Sequence, residues 1–181
     1  MRPNPTAFTP VRRRCLRTAL WALVLGLAAP LALAVQFTDL EGRPATLESH
    51  LGDGRWTVVM IWASDCHVCN AEVHNYNDFH VFHQDRDARV LGISIDGAAG
   101  RDDARAFVRR HELAFPNLLA EPGDVARWYM ELTGSRWVGT PTFLIYSPAG
   151  ELRAQQAGAV PTGLIEDFLD RQRQAAVDSR D

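Results

Sequence analysis

Apolar residues fall along this chain in short continuous runs separated by segments of helical period. Trp56 to Trp62 (WTVVMIW) is apolar almost throughout and rich in β-branched and aromatic residues, the pattern of a strand buried on both faces of a sheet. Val90 to Ile95 predicts a second such strand and Thr142 to Tyr146 a third. Phe37 to Leu40 predicts a short strand, turned by Glu41-Gly42-Arg43-Pro44 and returned by Ala45 to Leu47. Helices are expected from Cys66 to about Gln84, over Asp102 to His111 and over Asp124 to Leu132, with a short extended piece at Phe115 to Leu119. Ser147-Pro148-Ala149-Gly150 turns the third strand into a hairpin with Arg153 to Ala157, and Thr162 to Gln174 closes the chain as an amphipathic helix. Strand, helix, strand, helix, then hairpin and helix predicts an α/β fold: a mixed central sheet flanked by helices on both faces. One domain over residues 35–175 follows, with a polar tail at 176–181.

The first 34 residues read differently. Arg12, Arg13, Arg14 and Arg17 precede a nearly unbroken apolar run from Ala19 to Leu33, and Ala32-Leu33-Ala34 offers a small-x-small cleavage site. This is the layout of an export signal, either cleaved or kept as an anchor; the run is short of the roughly 20 residues that span a bilayer. Export places the domain in the periplasm, with membrane attachment only through a retained signal. All 19 basic residues are arginine, and five of them lie in this segment. The remainder carries 14 arginines against 22 acids, a net charge of −8, which excludes a nucleic-acid-binding surface of the usual basic kind.

Of three cysteines, Cys15 lies in the signal, leaving Cys66-His67-Val68-Cys69 for the domain. An exported protein commonly uses cysteines as structural bridges. A bridge closing so short a loop, however, constrains little of the unfolded chain. The pair also opens a helix after a buried strand, where unpaired N–H groups and the helix dipole favour a thiolate. That placement points to redox chemistry. Structural zinc normally takes four thiol or imidazole ligands, and the domain has no further cysteine.

The segments WASDCHVC (62–69), VLGISID (90–96) and GTPTFLIYSPAGEL (139–152), in this order, resemble the thioredoxin superfamily, and within it the exported TlpA/ResA-like thiol-disulfide oxidoreductases. The resemblance covers residues 36 to 170. It implies a thioredoxin-like fold with a short N-terminal β extension and a central strand–helix insertion. It also assigns Cys66 as nucleophile and Cys69 as the resolving thiol. Thr140-Pro141 then matches the family's cis-proline, a surface where substrate backbone pairs, with Trp137 close enough to line it. Trp62 flanks the pair, and His67 and Val68 between the cysteines tune its potential. Val68 replaces the usual proline, and Met60 stands where reductases of this type carry a buried acid, leaving Glu72 and Asp65 as the nearest candidates for proton transfer.

The implied activity is dithiol/disulfide exchange with partner proteins, in the reducing direction, with no cofactor beyond the redox-active Cys66–Cys69 disulfide. The implied partners are protein thiols and disulfides, among them apocytochrome c or copper-site proteins, with a membrane electron donor. A disulfide-donating oxidant and a copper chaperone are the alternatives on the same fold. The chaperone relatives use a wider Cys-x-x-x-Cys spacing, and a thiol peroxidase expects Pro-x-x-x-Thr-x-x-Cys; this chain has neither. His80 and His83 fall on one helix face with His74 nearby, and are read as solvated histidines rather than metal ligands.

Overall fold

The computed structural model describes residues 35–178, so the predicted signal and the last three residues of the tail lie outside the described residues. Seven strands form one sheet: β1 (Phe37–Asp39), β2 (Pro44–Ala45), β3 (Trp56–Trp62), β4 (Ala88–Ser94), β5 (Asn117–Leu119), β6 (Thr142–Tyr146) and β7 (Leu152–Ala157). Four α-helices accompany them: α1 (His67–His83), α2 (Arg101–Arg110), α3 (Pro122–Thr133) and α4 (Thr162–Asp178). The strand order is β2-β1-β5-β4-β3-β6-β7. β3, β4 and β5 run parallel, and the flanking pairs β3/β6, β6/β7, β1/β5 and β1/β2 are antiparallel.

β3 lies inside the sheet between β4 and β6, and every one of its residues is buried. Its alternation divides the core in two. Val58, Met60 and Trp62 pack with Cys69, Val73, Tyr76 and Phe79 of α1, Phe107 of α2 and Ile165 and Leu169 of α4. Val59 and Ile61 face the other way, joining Leu91, Ile93, Leu144 and the α3 residues Val125 and Tyr129. Helices therefore cover both faces, as the run pattern predicts. The N-terminal hairpin extends the sheet beyond β5, and β5 with α3 is the central insertion.

Differences from the sequence reading are local. α3 starts at Pro122 because proline is favoured in a first helical turn, where its missing N–H is not needed. It ends at Gly134, whose φ of 68° closes the helix in the left-handed region. A 3-10 turn lies at Glu48–His50, where the sequence reading assigns no element. α4 runs on to Asp178, into the segment expected to fray.

Candidate active site

The buried strand β3 delivers the chain through Ala63-Ser64-Asp65 to Cys66, which caps α1 with φ −69° and ψ 111°. Its Sγ accepts the Cys69 N–H at 3.1 Å, so a sulfur occupies the place of a capping oxygen. Cys66 and Cys69 are joined as a disulfide with Cα atoms 5.2 Å apart. Cys66 is partly exposed and Cys69 is fully buried. On reduction the outer sulfur stays at the positive end of a helix of 17 residues, beside a backbone donor, which favours its anion. The inner sulfur is reachable only through the outer one. The two sulfurs therefore differ in their access to solvent.

The loop before Cys66 is tied to β4. Asp96 accepts Ser64 N–H at 3.1 and 3.2 Å and Ser64 Oγ–H at 2.8 Å, and its other side takes Ser94 Oγ–H at 2.6 Å. On the far side, Asn70 Nδ2 donates to Ser64 O at 3.0 Å and Cys66 O at 2.9 Å. Neither Asp96 nor Asn70 is among the residues the sequence singles out. Asp96→Ala strips the loop of its carboxylate acceptor. Hydrogen bonds to a charged group contribute about 1.5–3 kcal/mol, and the expected loss is about 2 kcal/mol in urea unfolding. A loss near zero would show that the loop holds itself.

Met60 is fully buried in the core cluster that contains Cys69, so its position offers no proton relay. Trp62 is likewise fully buried; it stacks on Phe107 at 4.2 Å between centroids and donates Nε1–H to Asn117 Oδ1 at 3.1 Å. It belongs to the same core cluster as Cys69. The Thr140–Pro141 peptide bond is cis. β6 pairs Thr142 with Ile61 of β3, which puts Pro141 at the sheet end where β3 hands over to the cysteine loop. Val138, two residues before Thr140, is 76% exposed, while Pro141 itself is buried. Trp137 packs on the α3 side, in a cleft it shares with Ala126, Met130 and Arg136. His67, Val68 and Asp65 are exposed around Cys66. Glu72 is half-buried and takes Asn75 Nδ2–H at 2.9 Å.

His80 and His83 are not solvated, contrary to the sequence reading; they are 4% and 7% exposed. The helix turns both toward packed neighbours. His80 Nδ1 accepts Val90 N–H at 3.0 Å, and His83 lies between Asp87 (2.9 Å) and Glu166 (3.3 Å). Among the described residues no group of three or more His, Cys, Asp or Glu is placed to hold a metal ion. Burial pushes the His80 pKa below its ordinary 6.5, and the bond from Val90 requires an unprotonated Nδ1. Below pH 6.5 the unfolded chain thus binds a proton the folded one resists. The stability contribution is complete above about 6.5 and is lost as pH falls toward the folded pKa. The denaturation midpoint should drop between pH 7 and pH 5, with a smaller drop in His80→Gln; equal slopes in the two proteins would contradict this.

The family model described as AhpC/TSA matches residues 26–155. The chain belongs to the AhpC/TSA family. It is 26% identical over 137 residues to the thiol-disulfide oxidoreductase ResA of Oceanobacillus iheyensis, covering 75% of this chain but only 60% of that relative. It is 38% identical over 134 residues to alkyl hydroperoxide reductase C of Mycobacterium tuberculosis, covering 70% of this chain and 65% of the relative. Among solved structures, a thiol:disulfide interchange protein of the thioredoxin family from Chlorobium tepidum superposes with a TM-score of 0.61 at 15% identity, over 76% of this chain and 94% of that one. The fold is thioredoxin-like.

The similar proteins include a peroxide reductase as well as a thiol-disulfide oxidoreductase. In a Pro-x-x-x-Thr-x-x-Cys motif ending at Cys66, this chain has Val59 and Ala63 at the proline and threonine positions. Valine and alanine carry no hydroxyl, so neither offers one to the outer sulfur; both are buried, Val59 within the sheet and Ala63 just past its end.

Proposed function

We propose that this chain is a thiol-disulfide oxidoreductase of the ResA type that reduces disulfides in exported partner proteins. The observation that carries the proposal is the disulfide between a partly exposed Cys66 at a helix start and a fully buried Cys69. In the reduced protein the Cys66 thiolate attacks one sulfur of a substrate disulfide. That S–S bond breaks, a mixed disulfide forms, and the departing substrate thiolate takes up a proton. Cys69, deprotonated, then attacks the Cys66 sulfur and releases the second substrate thiolate. Two electrons pass to the substrate and the Cys66–Cys69 disulfide is left behind. An external dithiol, for an exported domain a membrane electron donor, must return it to the reduced state. The two sulfurs carry both electrons, so the reading calls for no cofactor.

Thr140 and Pro141 supply the docking edge, where an extended partner segment can pair with backbone as an added strand. The Arg-rich and apolar first 34 residues support a periplasmic location, tethered or free. Suitable partners are protein disulfides such as those of apocytochrome c or copper-site proteins. A disulfide-donating role is the second reading, favoured by the helix start that stabilises the Cys66 anion. The reduction potential separates the two: about −270 mV fits a reductase and about −120 mV an oxidant.

The test is insulin reduction by the purified protein with excess dithiothreitol, run beside hydrogen peroxide consumption. Accelerated insulin precipitation with negligible peroxide turnover is expected. Rapid peroxide turnover without insulin reduction would place the chain with the peroxide reductases instead.

A further inference from the structure

Asn70 follows Cys69 directly, and its side-chain amide has every hydrogen-bonding position in use. Nδ2 donates to Ser64 O and Cys66 O, while Oδ1 accepts from Arg110 Nη1 and His111 Nε2, each at 3.1 Å. The Asn70 backbone N–H also reaches Cys66 O, at 3.0 Å. This one amide therefore joins the C-terminal end of α2 to the segment that holds the outer cysteine. Its orientation is fixed by its neighbours, because exchanging oxygen and nitrogen would face two carbonyls with an oxygen and a guanidinium with an NH2 group. The amide dipole consequently turns its positive end toward Cys66, with the Arg110 cation at its other end.

His111 is the second donor. Burial first, then the charges of Arg110 and His74, hold its pKa below the ordinary 6.5. Arg110 is thus the standing charge of the cluster at neutral pH.

We propose that Asn70 and Arg110 are positioning residues that increase the acidity of Cys66, with Asn70 both locking the Cys66 loop and relaying the field of Arg110 to it. The proposal rests on Cys66 being the attacking thiol. A more stable thiolate raises the fraction of the attacking form and favours the reduced protein over its disulfide. Asn70→Ala removes the lock and the relay together. Arg110→Gln leaves an amide able to donate to Asn70 Oδ1 but removes the charge, and Arg110→Lys keeps the charge.

The experiment measures the alkylation rate of Cys66 by iodoacetamide against pH in the reduced full-length protein, with the labelled peptide read by mass. A glutathione equilibrium gives the potential of each variant. Asn70→Ala should raise the Cys66 pKa by about one unit, a tenfold fall in the thiolate-to-thiol ratio. Its potential should move about 30 mV more negative, the equivalent of that factor of ten. Arg110→Gln should shift the pKa in the same direction by a smaller amount, and Arg110→Lys should restore the wild-type profile. The double variant Asn70→Ala/Arg110→Gln should go no further than Asn70→Ala alone. Unmoved titration in Asn70→Ala and Arg110→Gln, or shifts that simply add, would overturn the proposal. Arg110 is exposed, so Arg110→Gln folds even where Asn70→Ala does not, and its profile then decides. No substrate enters this measurement. An unmoved pKa with normal insulin reduction therefore overturns the relay alone, and a shifted pKa without insulin reduction overturns only the proposed activity.

Discussion

Cys66→Ser is expected to lose insulin reduction entirely above the uncatalysed background, on the order of 10³-fold or more. A serine hydroxyl is not ionised at neutral pH and does not attack sulfur, so the first bond of the cycle cannot form. Cys69 cannot take over, because it is fully buried behind the outer position. The loss should come without unfolding. The disulfide closes a loop with only two residues between its ends, and so short a cross-link contributes little to stability in the chain-entropy model. The check is a turnover assay together with the denaturation midpoint of the reduced wild type and of the variant. Substantial residual turnover in a folded Cys66→Ser protein would remove Cys66 from the reaction.

The second large effect is structural. Trp62→Ala should destabilise the fold by about 3–5 kcal/mol, the usual range for truncating a large buried aromatic side chain. Here the removed ring is fully buried, stacks on Phe107, and satisfies Asn117 Oδ1, so cavity, stacking and a stranded acceptor all count against the variant. Total stabilities of about 5–15 kcal/mol make this a large fraction of the whole. Gly92→Ala should approach the same severity by a different route. A Cβ built there meets Asn117 Oδ1 at 1.9 Å and Trp62 Nε1 at 2.8 Å, so β4 needs glycine where that hydrogen bond crosses it. Urea unfolding measures both variants. A cost under about 1 kcal/mol for Trp62→Ala would mean that the core closes over the gap far better than its packing indicates.

The parts of the fold that the sequence makes legible are those set by local pattern. β3 and β6 keep their expected bounds because both-face burial produces an unbroken apolar run with sharp ends. β2 lies at Pro44–Ala45 rather than over the expected Ala45 to Leu47, because so short a strand is bounded by its pairing with β1 and not by periodicity, and the 3-10 turn at Glu48–His50 has no apolar run to mark it. The reactive pair shows the same division. Two cysteines one helical turn apart, behind a buried strand, are a local motif. Asp96 reaches Ser64 across 32 residues, and Asn70, although only 6 and 4 residues from Ser64 and Cys66, is held in place by a bond to His111 across 41. One general signal could have found Asp96: a polar residue just past the carboxyl end of a parallel strand lies where open α/β sheets build their sites. His80 and His83 fail in the opposite sense, because helix spacing shows that they share a face but not that β4 and α4 cover it.

The division of labour between the two sulfurs is tested most directly by trapping. Reduced Cys69→Ser protein, mixed with a disulfide-bonded substrate and quenched in acid, should accumulate a covalent mixed disulfide that maps to Cys66. Cys66→Ser should accumulate none under the same conditions. A stable adduct on Cys69 in the Cys66→Ser protein, or none on Cys66 in the Cys69→Ser protein, would contradict the exchange mechanism at its first step.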